Sequence, residues 1–143
     1  MVSEEFERVY EVTGRDYANA GRASTSIKDI LKNLGVPPAV VRRAAIASYE
    51  AEMNVVMHAV RGRMSLRVSP AAVTVEVQDE GPGIEDVRLA MQEGYSTATP
   101  EMREMGFGAG MGLPNIKKNA DVFDLQSEVS RGTRLLIRIS QAA

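Results

Sequence analysis

The sequence predicts an α+β fold, with a sheet of about five largely antiparallel strands and helices gathered on one face. Apolar side chains alternate with polar ones in segments 64–68 and 73–77, which is typical of half-buried strands. In segment 46–60, apolar side chains recur three and four residues apart, as in a helix that packs on a core. Four of the strands are predicted to form two hairpins, so the predicted pairing is mostly antiparallel.

The first elements are a strand and a helix. A strand is predicted over Phe6–Thr13, where β-branched and aromatic residues are frequent and Gly14 follows. The next helix is expected from about residue 16 to residue 34, with Asp16 as its N-cap and Gly35 as its stop. These boundaries depend on local capping residues alone.

A second, longer helix follows a proline pair. Pro37 and Pro38 interrupt the chain, and Pro38 suits the first turn of a helix because an N–H there has no intrahelical partner. The helix is predicted to extend to about Ala59. Its apolar stripe consists of Ile46, Tyr49, Met53, Val56, Met57 and Val60.

Two hairpins and a third main helix are predicted in the second half of the chain. The turn Ser69–Ala72 joins the two alternating strands into the first hairpin. The later features, in order, are a short helix near Glu85–Gln92, an irregular segment from Gly94 to about Met111, a helix from near Gly112, and a hairpin of Phe123–Val129 against Arg134–Ile139.

Composition indicates a single domain, residues 1–143, in the cytoplasm. Hydrophobic content of 44% and charged content of 25% are ordinary for soluble globular proteins. The net charge of −2 argues against a nucleic-acid partner, and the absence of cysteine excludes disulfides and cysteine-bound metals. We expect no signal peptide, because the start is acidic, and no membrane partner, because no run approaches about 20 apolar residues.

The predicted second helix carries three polar residues on one ridge. Glu50, Asn54 and His58 occupy positions i, i+4 and i+8, at the border of the apolar stripe. The Asn54 oxygen is a ligand type that suits Mg²⁺, and Glu50 could accept a proton from a nucleophile near that metal. The alternative is an amphipathic helix whose polar side faces water, with His58 in a structural or surface role.

A second polar motif lies at the predicted end of a strand. Asp79 follows the alternating valines, Gly81 and Gly83 allow a sharp turn, and Pro82 stiffens it. A carboxylate in this position can accept a hydrogen bond from a ligand amino group, such as the exocyclic amine of adenine. The alternative is a plain turn, since all of these residues are turn formers.

The third motif is rich in glycine and precedes the third main helix. Its glycines allow a close approach to phosphates, and the first amides of the helix are free to bind an anion. It is neither a P-loop, because GxxxxGK[ST] occurs nowhere, nor a dinucleotide fingerprint, because no strand leads into it. A glycine-rich loop without a ligand is the alternative. The four glycines are Gly106, Gly108, Gly110 and Gly112.

Glu-x-x-x-Asn, Asp-x-Gly-x-Gly and the glycine-rich motif, in that order, resemble the GHKL ATPase superfamily of gyrase, Hsp90, histidine kinases and MutL. The resemblance covers about residues 5–140 and implies a two-layer sandwich, the Bergerat fold. Within the superfamily the chain is similar to small stand-alone bacterial serine/threonine kinases of the RsbT, RsbW and SpoIIAB type. Segments Asp79–Ile84, Glu93–Thr97 and Gly108–Pro114 look most like the RsbT, or stressosome-switch, branch.

The resemblance implies a role for each motif. Asn54 would hold the Mg²⁺ that bridges the phosphates of ATP, and Glu50 would be the catalytic base toward a protein hydroxyl. Asp79 would bind the adenine amine within the Gly81–Gly83 turn, with Gly83 and Thr133 assisting. Backbone N–H groups would bind the phosphates at Gly108, Gly110, Met111, Gly112 and Leu113.

The resemblance also implies an ATP lid at about residues 95–107. Arg103 within it is a candidate positive charge near the γ-phosphate. The lid carries extra residues, Thr99–Met105, compared with the short RsbT form, and this departure leaves open whether the chain belongs to the anti-sigma or the stressosome-switch branch.

The function implied is an ATP-dependent serine/threonine kinase that phosphorylates a STAS-domain protein. The alternative is a nucleotide-dependent module that sequesters a sigma factor or switches a PP2C-type phosphatase with little catalysis. Glu50 favours catalysis, because a pure binding module needs no base there. A sensor histidine kinase fragment fits less well, since no long dimerising helical hairpin carries a phospho-acceptor histidine. A homodimer is compatible with the resemblance, because dimers are common among the anti-sigma kinases.

Overall fold

The computed structural model of the chain describes residues 5–84, 87–92 and 112–141. A short 3₁₀ turn, Tyr17–Asn19, lies between the first strand and the first helix. The elements, in chain order, are β1 (Phe6–Thr13), α1 (Arg22–Asn33), α2 (Pro38–His58), β2 (Arg61–Val68), β3 (Ala72–Glu80), α3 (Val87–Ala90), α4 (Gly112–Lys118), β4 (Val122–Glu128) and β5 (Gly132–Ser140).

The strands form one five-stranded sheet in the order β1-β2-β3-β5-β4. All four pairings between these strands are antiparallel. Three of them join strands that follow each other along the chain, whereas the central β3–β5 pair joins residues 72–78 to residues 134–140. The predicted α+β fold with a five-stranded sheet is therefore confirmed, and its pairing is more regular than the mostly antiparallel sheet that we expected.

One face of the sheet is buried under the helices. Side chains on this face alternate with exposed ones, so that β2 reads exposed–buried along its whole length. Helix α2 contacts β1, β2, β3 and β5, and it lies beside both α1 and α4. The fully buried side chains include Ile27, Leu31, Met64, Leu66, Val73, Val75, Ile116, Ile137 and Ile139.

The other face of the sheet is open and its charge alternates from strand to strand. Exposed pairs of this kind each contribute about 0–1 kcal/mol, so their effect is on surface pattern more than on stability. Arginines lie on β2 and β5, and carboxylates lie on β1, β3 and β4. The ion pairs are Arg63 with Glu11 at 3.2 Å, Arg61 with Glu80, and Arg134 with Glu76.

Helix α1 begins later than the sequence predicted. It starts at Arg22, and Asp16 makes no side-chain cap. Its first turn is instead bound by Glu52 of α2, whose carboxylate accepts the N–H groups of Gly21 at 2.9 Å and Ser24 at 2.8 Å. Because this acceptor comes from a distant part of the chain, local capping residues gave the wrong start.

The end of α1 agrees with the prediction. The N–H of Gly35 bonds to the Lys32 carbonyl and the N–H of Val36 bonds to the Leu31 carbonyl. This pair of bonds is the Schellman arrangement, and it allows the buried Leu31 and Val36 to meet beneath the turn.

The predicted apolar stripe of α2 is wrong at two of its six positions. Tyr49 is 44% exposed, and Val60, which lies beyond the helix end, is 68% exposed. The most deeply buried face consists of small residues, Ala44, Ala47, Ser48, Ala51 and Val55. Small side chains allow α2 to lie close to the sheet and to both neighbouring helices at once. More than one face of the helix is therefore buried, whereas the prediction assumed a single apolar stripe.

Within the described ranges, no helix has the length and the apolar character needed to span a bilayer.

Candidate functional site

The three motifs meet along the C-terminal half of α2. A Cβ added to Gly112, the first residue of α4, would lie 3.4 Å from both Glu50 Oε2 and Asn54 Oδ1. A Cβ added to Gly81 would lie 3.0 Å from the Ala59 Cα, at the end of the same helix. Gly112, the described end of the glycine-rich motif, therefore lies against the first polar motif, and the Asp79 motif packs on the end of the helix that carries it.

The polar ridge of α2 borders the core as expected. Glu50, Asn54 and His58 are all half-buried. Burial raises the pKa of Glu50, and a carboxylate with a raised pKa is a better proton acceptor once it is ionised. Burial, followed by the nearby charge of Arg15, lowers the pKa of His58. The ridge thus combines a neutral amide oxygen with a base of increased strength.

Asp79 lies near the end of β3, on the helix-covered face, and bonds to the first residues of β5. Its Oδ1 accepts the N–H of Thr133 at 3.0 Å. Burial raises the pKa of Asp79, and the Thr133 N–H opposes this rise by lowering it. Within the described part of the chain, Oδ2 has no hydrogen-bond partner and is available as an acceptor for a ligand.

The turn after Asp79 and the β4–β5 turn fit closely together. Gly83 has a φ of +75°, and a Cβ there would lie 2.4 Å from the Glu128 carbonyl oxygen. At Gly132, with a φ of +147°, a Cβ would lie 2.0 Å from the Asp79 carbonyl oxygen. Neither position accepts a side chain, so these glycines fix the backbone around Asp79. The Gly81 N–H also bonds to the Arg131 carbonyl at 3.1 Å.

Sequence reasoning missed Ser127 at this end of the sheet. Ser127 lies opposite Thr133 in the β4–β5 register, and the two hydroxyl oxygens are 2.9 Å apart. A lone serine in a strand carries no motif signal. The register of the final hairpin, had it been predicted, was the one available indication that Ser127 faces Thr133.

Sequence reasoning also missed Glu52, which is only 2% exposed. It accepts N–H groups of the first turn of α1 and faces away from the polar ridge, so its role is structural. Glu50 and Asn54, two positions before and after it on the same helix, are also polar, but they face the candidate site.

Several predicted site residues lie outside the described residues. These are Gly108, Gly110 and Met111, together with the predicted lid at 95–107 and Arg103. Gly112 and Leu113 are described, in the first turn of α4. Among the described residues, no cluster of three or more His, Cys, Asp or Glu side chains could hold a metal ion.

Comparison with known proteins gives consistent matches. The family model for the histidine kinase-like ATPase domain matches residues 15–139. The serine/threonine-protein kinase RsbT of Bacillus subtilis is 29% identical over 112 residues, which cover 76% of this chain and 78% of that protein. An anti-sigma F factor of Caldanaerobacter subterraneus is 34% identical over 97 residues, and one of Thermoanaerobacter sp. is 32% identical over 97 residues. These matches span 63% of each anti-sigma F factor, less than two thirds of its length.

Proposed function

Because the chain belongs to the histidine kinase-like ATPase family, we propose that it is an ATP-dependent protein serine/threonine kinase whose substrate is a STAS-domain protein of bacterial sigma-factor or stress regulation. The observation that carries the proposal is the convergence of the three motifs on α2. An acceptor for adenine, a ligand for a cation and a proton acceptor then line one region of one domain.

The adenine end of the site is formed by Asp79 and the residues around it. The free oxygen Oδ2 accepts the exocyclic amine of adenine, and Gly81 and Gly83 keep the backbone close to the base. Thr133 supports Asp79 through its N–H at 3.0 Å. The half-buried position strengthens this hydrogen bond, because water competes less for the carboxylate.

The phosphate end of the site is formed by Asn54 and the start of α4. The described residues fit Mg²⁺, because the neutral oxygen of Asn54 is a ligand type that this ion prefers and lies beside Gly112 at the start of α4. Mg²⁺ usually takes few protein ligands and keeps waters and substrate phosphates in its shell. The absence of a carboxylate cluster in the described ranges agrees with this mode of binding. Backbone groups of Gly112 and Leu113 would contact the phosphates, and the same role is expected of Gly108, Gly110 and Met111, which lie outside the described residues.

Glu50 is the base in the transfer step. It accepts the proton of the serine or threonine hydroxyl as the hydroxyl oxygen bonds to the γ-phosphorus. The bond between that phosphorus and the bridging oxygen breaks, and ADP leaves. Positioning and charge neutralisation provide most of the catalysis in such transfers. The raised pKa of Glu50 suits the role, because the proton is accepted more readily.

The relatives support a partner in sigma-factor control. One is named as a serine/threonine-protein kinase and others as anti-sigma F factors. A single kinase domain in the cytoplasm, which binds a STAS-domain protein and forms a homodimer, is consistent with those names. The net charge of −2 disfavours nucleic acid as the partner.

The second candidate is a binding module that sequesters a sigma factor, or activates a PP2C-type phosphatase, in a nucleotide-dependent manner with little catalysis. The similarity to anti-sigma F factors favours it. The two candidates differ in chemistry, since only the kinase needs Glu50 as a base.

The test is incubation of the purified protein with Mg²⁺ and ATP labelled at the γ-phosphate, together with STAS-domain proteins encoded by the same genome. We expect label on a serine or threonine of one of them. Absence of label on every such protein, with ATP bound and a sigma factor retained in a complex, would favour the binding module instead. A protein that binds no ATP would contradict both candidates.

A further inference from the structure

The Ser127 hydroxyl contacts three polar groups at the proposed adenine end of the site. Its Oγ is 2.8 Å from the amide nitrogen of Ile84, 2.9 Å from Thr133 Oγ1 and 3.2 Å from the carbonyl oxygen of Gly132. The Ile84 amide can only donate, and the Gly132 carbonyl can only accept. Ser127 therefore links the turn after Asp79 to the first residues of β5.

The single proton of Ser127 decides the direction of these bonds. A serine hydroxyl has one proton and two lone pairs. All three contacts are hydrogen bonds at the same time only when Ser127 donates to Gly132 and accepts from both Ile84 and Thr133. Thr133 then donates its own proton to Ser127, so the lone pairs of Thr133 Oγ1 remain for a ligand.

In the proposed site, two acceptors would then be available to the base. Ionised Asp79 can only accept, and its Oδ1 is already bonded to the Thr133 N–H at 3.0 Å. Thr133 Oγ1 becomes the second acceptor when its proton is held by Ser127. Adenine has an amine with N–H donors at the ring position where guanine has a carbonyl oxygen. A site with two acceptors suits the amine and opposes the carbonyl.

We propose that Ser127 is a specificity-determining residue that acts through Thr133 to favour adenine over guanine nucleotides. The inference rests on the proposed function, in which Asp79 and Thr133 bind the base. Ser127 is a positioning residue, because it holds the Thr133 proton without contact with the base. Without Ser127, the Thr133 hydroxyl is free to turn and donate to the guanine carbonyl.

The test compares the dissociation constants for ATP and GTP by calorimetry. We expect wild-type protein to prefer ATP, and Ser127→Ala to reduce the ratio of the GTP constant to the ATP constant by about tenfold, the effect of one hydrogen bond. Ser65→Ala is the matched control, because Ser65 lies on the open face of β2. We expect it to leave the ratio unchanged.

Further variants separate this role from a purely structural one. If Ser127→Ala only disturbed the local structure, the protein would bind ATP and GTP more weakly by the same factor. The ratio of the two dissociation constants would then be unchanged. Ser127→Thr retains a hydroxyl and should keep the wild-type ratio. In a Thr133→Val background, Ser127→Ala should have no further effect on the ratio. If thermal melting shows that Ser127→Ala does not fold, Ser127→Cys, with a weaker donor and acceptor, provides the same comparison.

The outcomes distinguish this inference from the proposed function. An unchanged ratio in folded Ser127→Ala or Ser127→Cys, with ATP still bound by the wild type, would overturn the inference alone. A further drop caused by Ser127→Ala in the Thr133→Val background would overturn the action through Thr133. Wild-type protein that binds no ATP would overturn the proposed function, on which the inference depends.

Discussion

Two carboxylates on α2 lie two positions apart and face different surroundings. Glu50 is half-buried beside Gly112, and burial raises its pKa. Glu52 is only 2% exposed and bonds to amides of the first turn of α1. On a helix, residues two apart point in different directions. A glutamate can therefore be a candidate proton acceptor at position 50 and a structural hydrogen-bond acceptor at position 52.

Replacement of Glu50 tests its role as the base. We expect Glu50→Gln to bind ATP with nearly unchanged affinity and to reduce phosphotransfer at least about 100-fold, the usual contribution of a positioned base. Calorimetry measures the first quantity and transfer of labelled phosphate measures the second. Glu76→Gln, which changes a half-buried carboxylate on the open face of β3, is the control and should retain both. Full transfer activity in Glu50→Gln would rule out Glu50 as the base.

Replacement of Asp79 tests adenine binding. In Asp79→Asn, the amide oxygen can still accept the Thr133 N–H, but the amide N–H₂ then opposes the amine of adenine as a second donor. Since a hydrogen bond to a charged group contributes up to about 3 kcal/mol, we expect ATP affinity to fall about 100-fold. The exposed Asp124→Asn on β4 should bind ATP normally. Unchanged affinity in Asp79→Asn, measured by calorimetry, would contradict the nucleotide site.

At the scale of elements, α1 and α2 are joined by a buried carboxylate rather than by apolar packing alone. The Oε2 of Glu52 is 2.9 Å from the Gly21 amide and 3.3 Å from the Ala23 amide, and its Oε1 is 2.8 Å from the Ser24 amide. The first amides of a helix have no partners within it, so a buried helix start needs such an acceptor. The position of α1 thus depends on one side chain of α2.

Glu52→Gln should therefore destabilise the protein. The change places an amide N–H₂ among backbone donors and removes the charge, so we expect the free energy of unfolding to fall by about 3 kcal/mol. Urea denaturation followed by circular dichroism measures it. Glu50→Gln makes the same chemical change on the same helix and should alter the free energy by less than about 1 kcal/mol. Equal losses in the two variants would contradict the assigned roles.

The elements that the sequence predicted well are those whose sequence pattern lies within the element itself. Strands β1, β2 and β3 and the start of α4 at Gly112 agree with prediction, because alternation and glycine punctuation report the local backbone. The start of α1 does not, because its acceptor, Glu52, comes from another helix. The apolar stripe of α2 fails at Tyr49 because this helix is covered by the sheet and by two helices, not by one surface.

The candidate site also contains residues that the local sequence predicts and residues that depend on distant parts of the chain. Spacing and the position of a strand end predict Glu50, Asn54 and Asp79 as site residues. Ser127 could not be found, because its meaning depends on the register of β4 against β5. Side chains that act through a cross-strand neighbour leave no pattern in the sequence.

At the scale of the whole molecule, one histidine should couple stability to pH. Burial and Arg15 lower the pKa of His58 in the folded state, so the unfolded chain binds a proton more readily below histidine's ordinary pKa of about 6.5. Stability is consequently lost as the pH falls through that value. The raised pKa values of Glu50 and Asp79 act in the opposite sense at lower pH, because their protonation favours the folded state.

A comparison of wild type with His58→Gln isolates the histidine, because both proteins contain the same carboxyl groups. Between about pH 7 and about pH 5.5, a range that spans histidine's ordinary pKa, we expect the wild type to lose more of its free energy of unfolding than His58→Gln does. Urea denaturation at each pH measures the difference. Parallel pH profiles for the two proteins would contradict the lowered pKa.

The pairing of β3 with β5 also makes the sheet insensitive to the length of the chain between them. That chain leaves the sheet after Glu80 and returns to it at Val122, where β4 begins. It is held by the N–H of Gly81 at one end and by Gly112 against Asn54 further along. Loop closure costs only about 0.6 kcal/mol for each doubling of length. The extra residues expected at Thr99–Met105 should therefore cost the fold little, and the sheet and the proposed adenine end of the site should stay as they are.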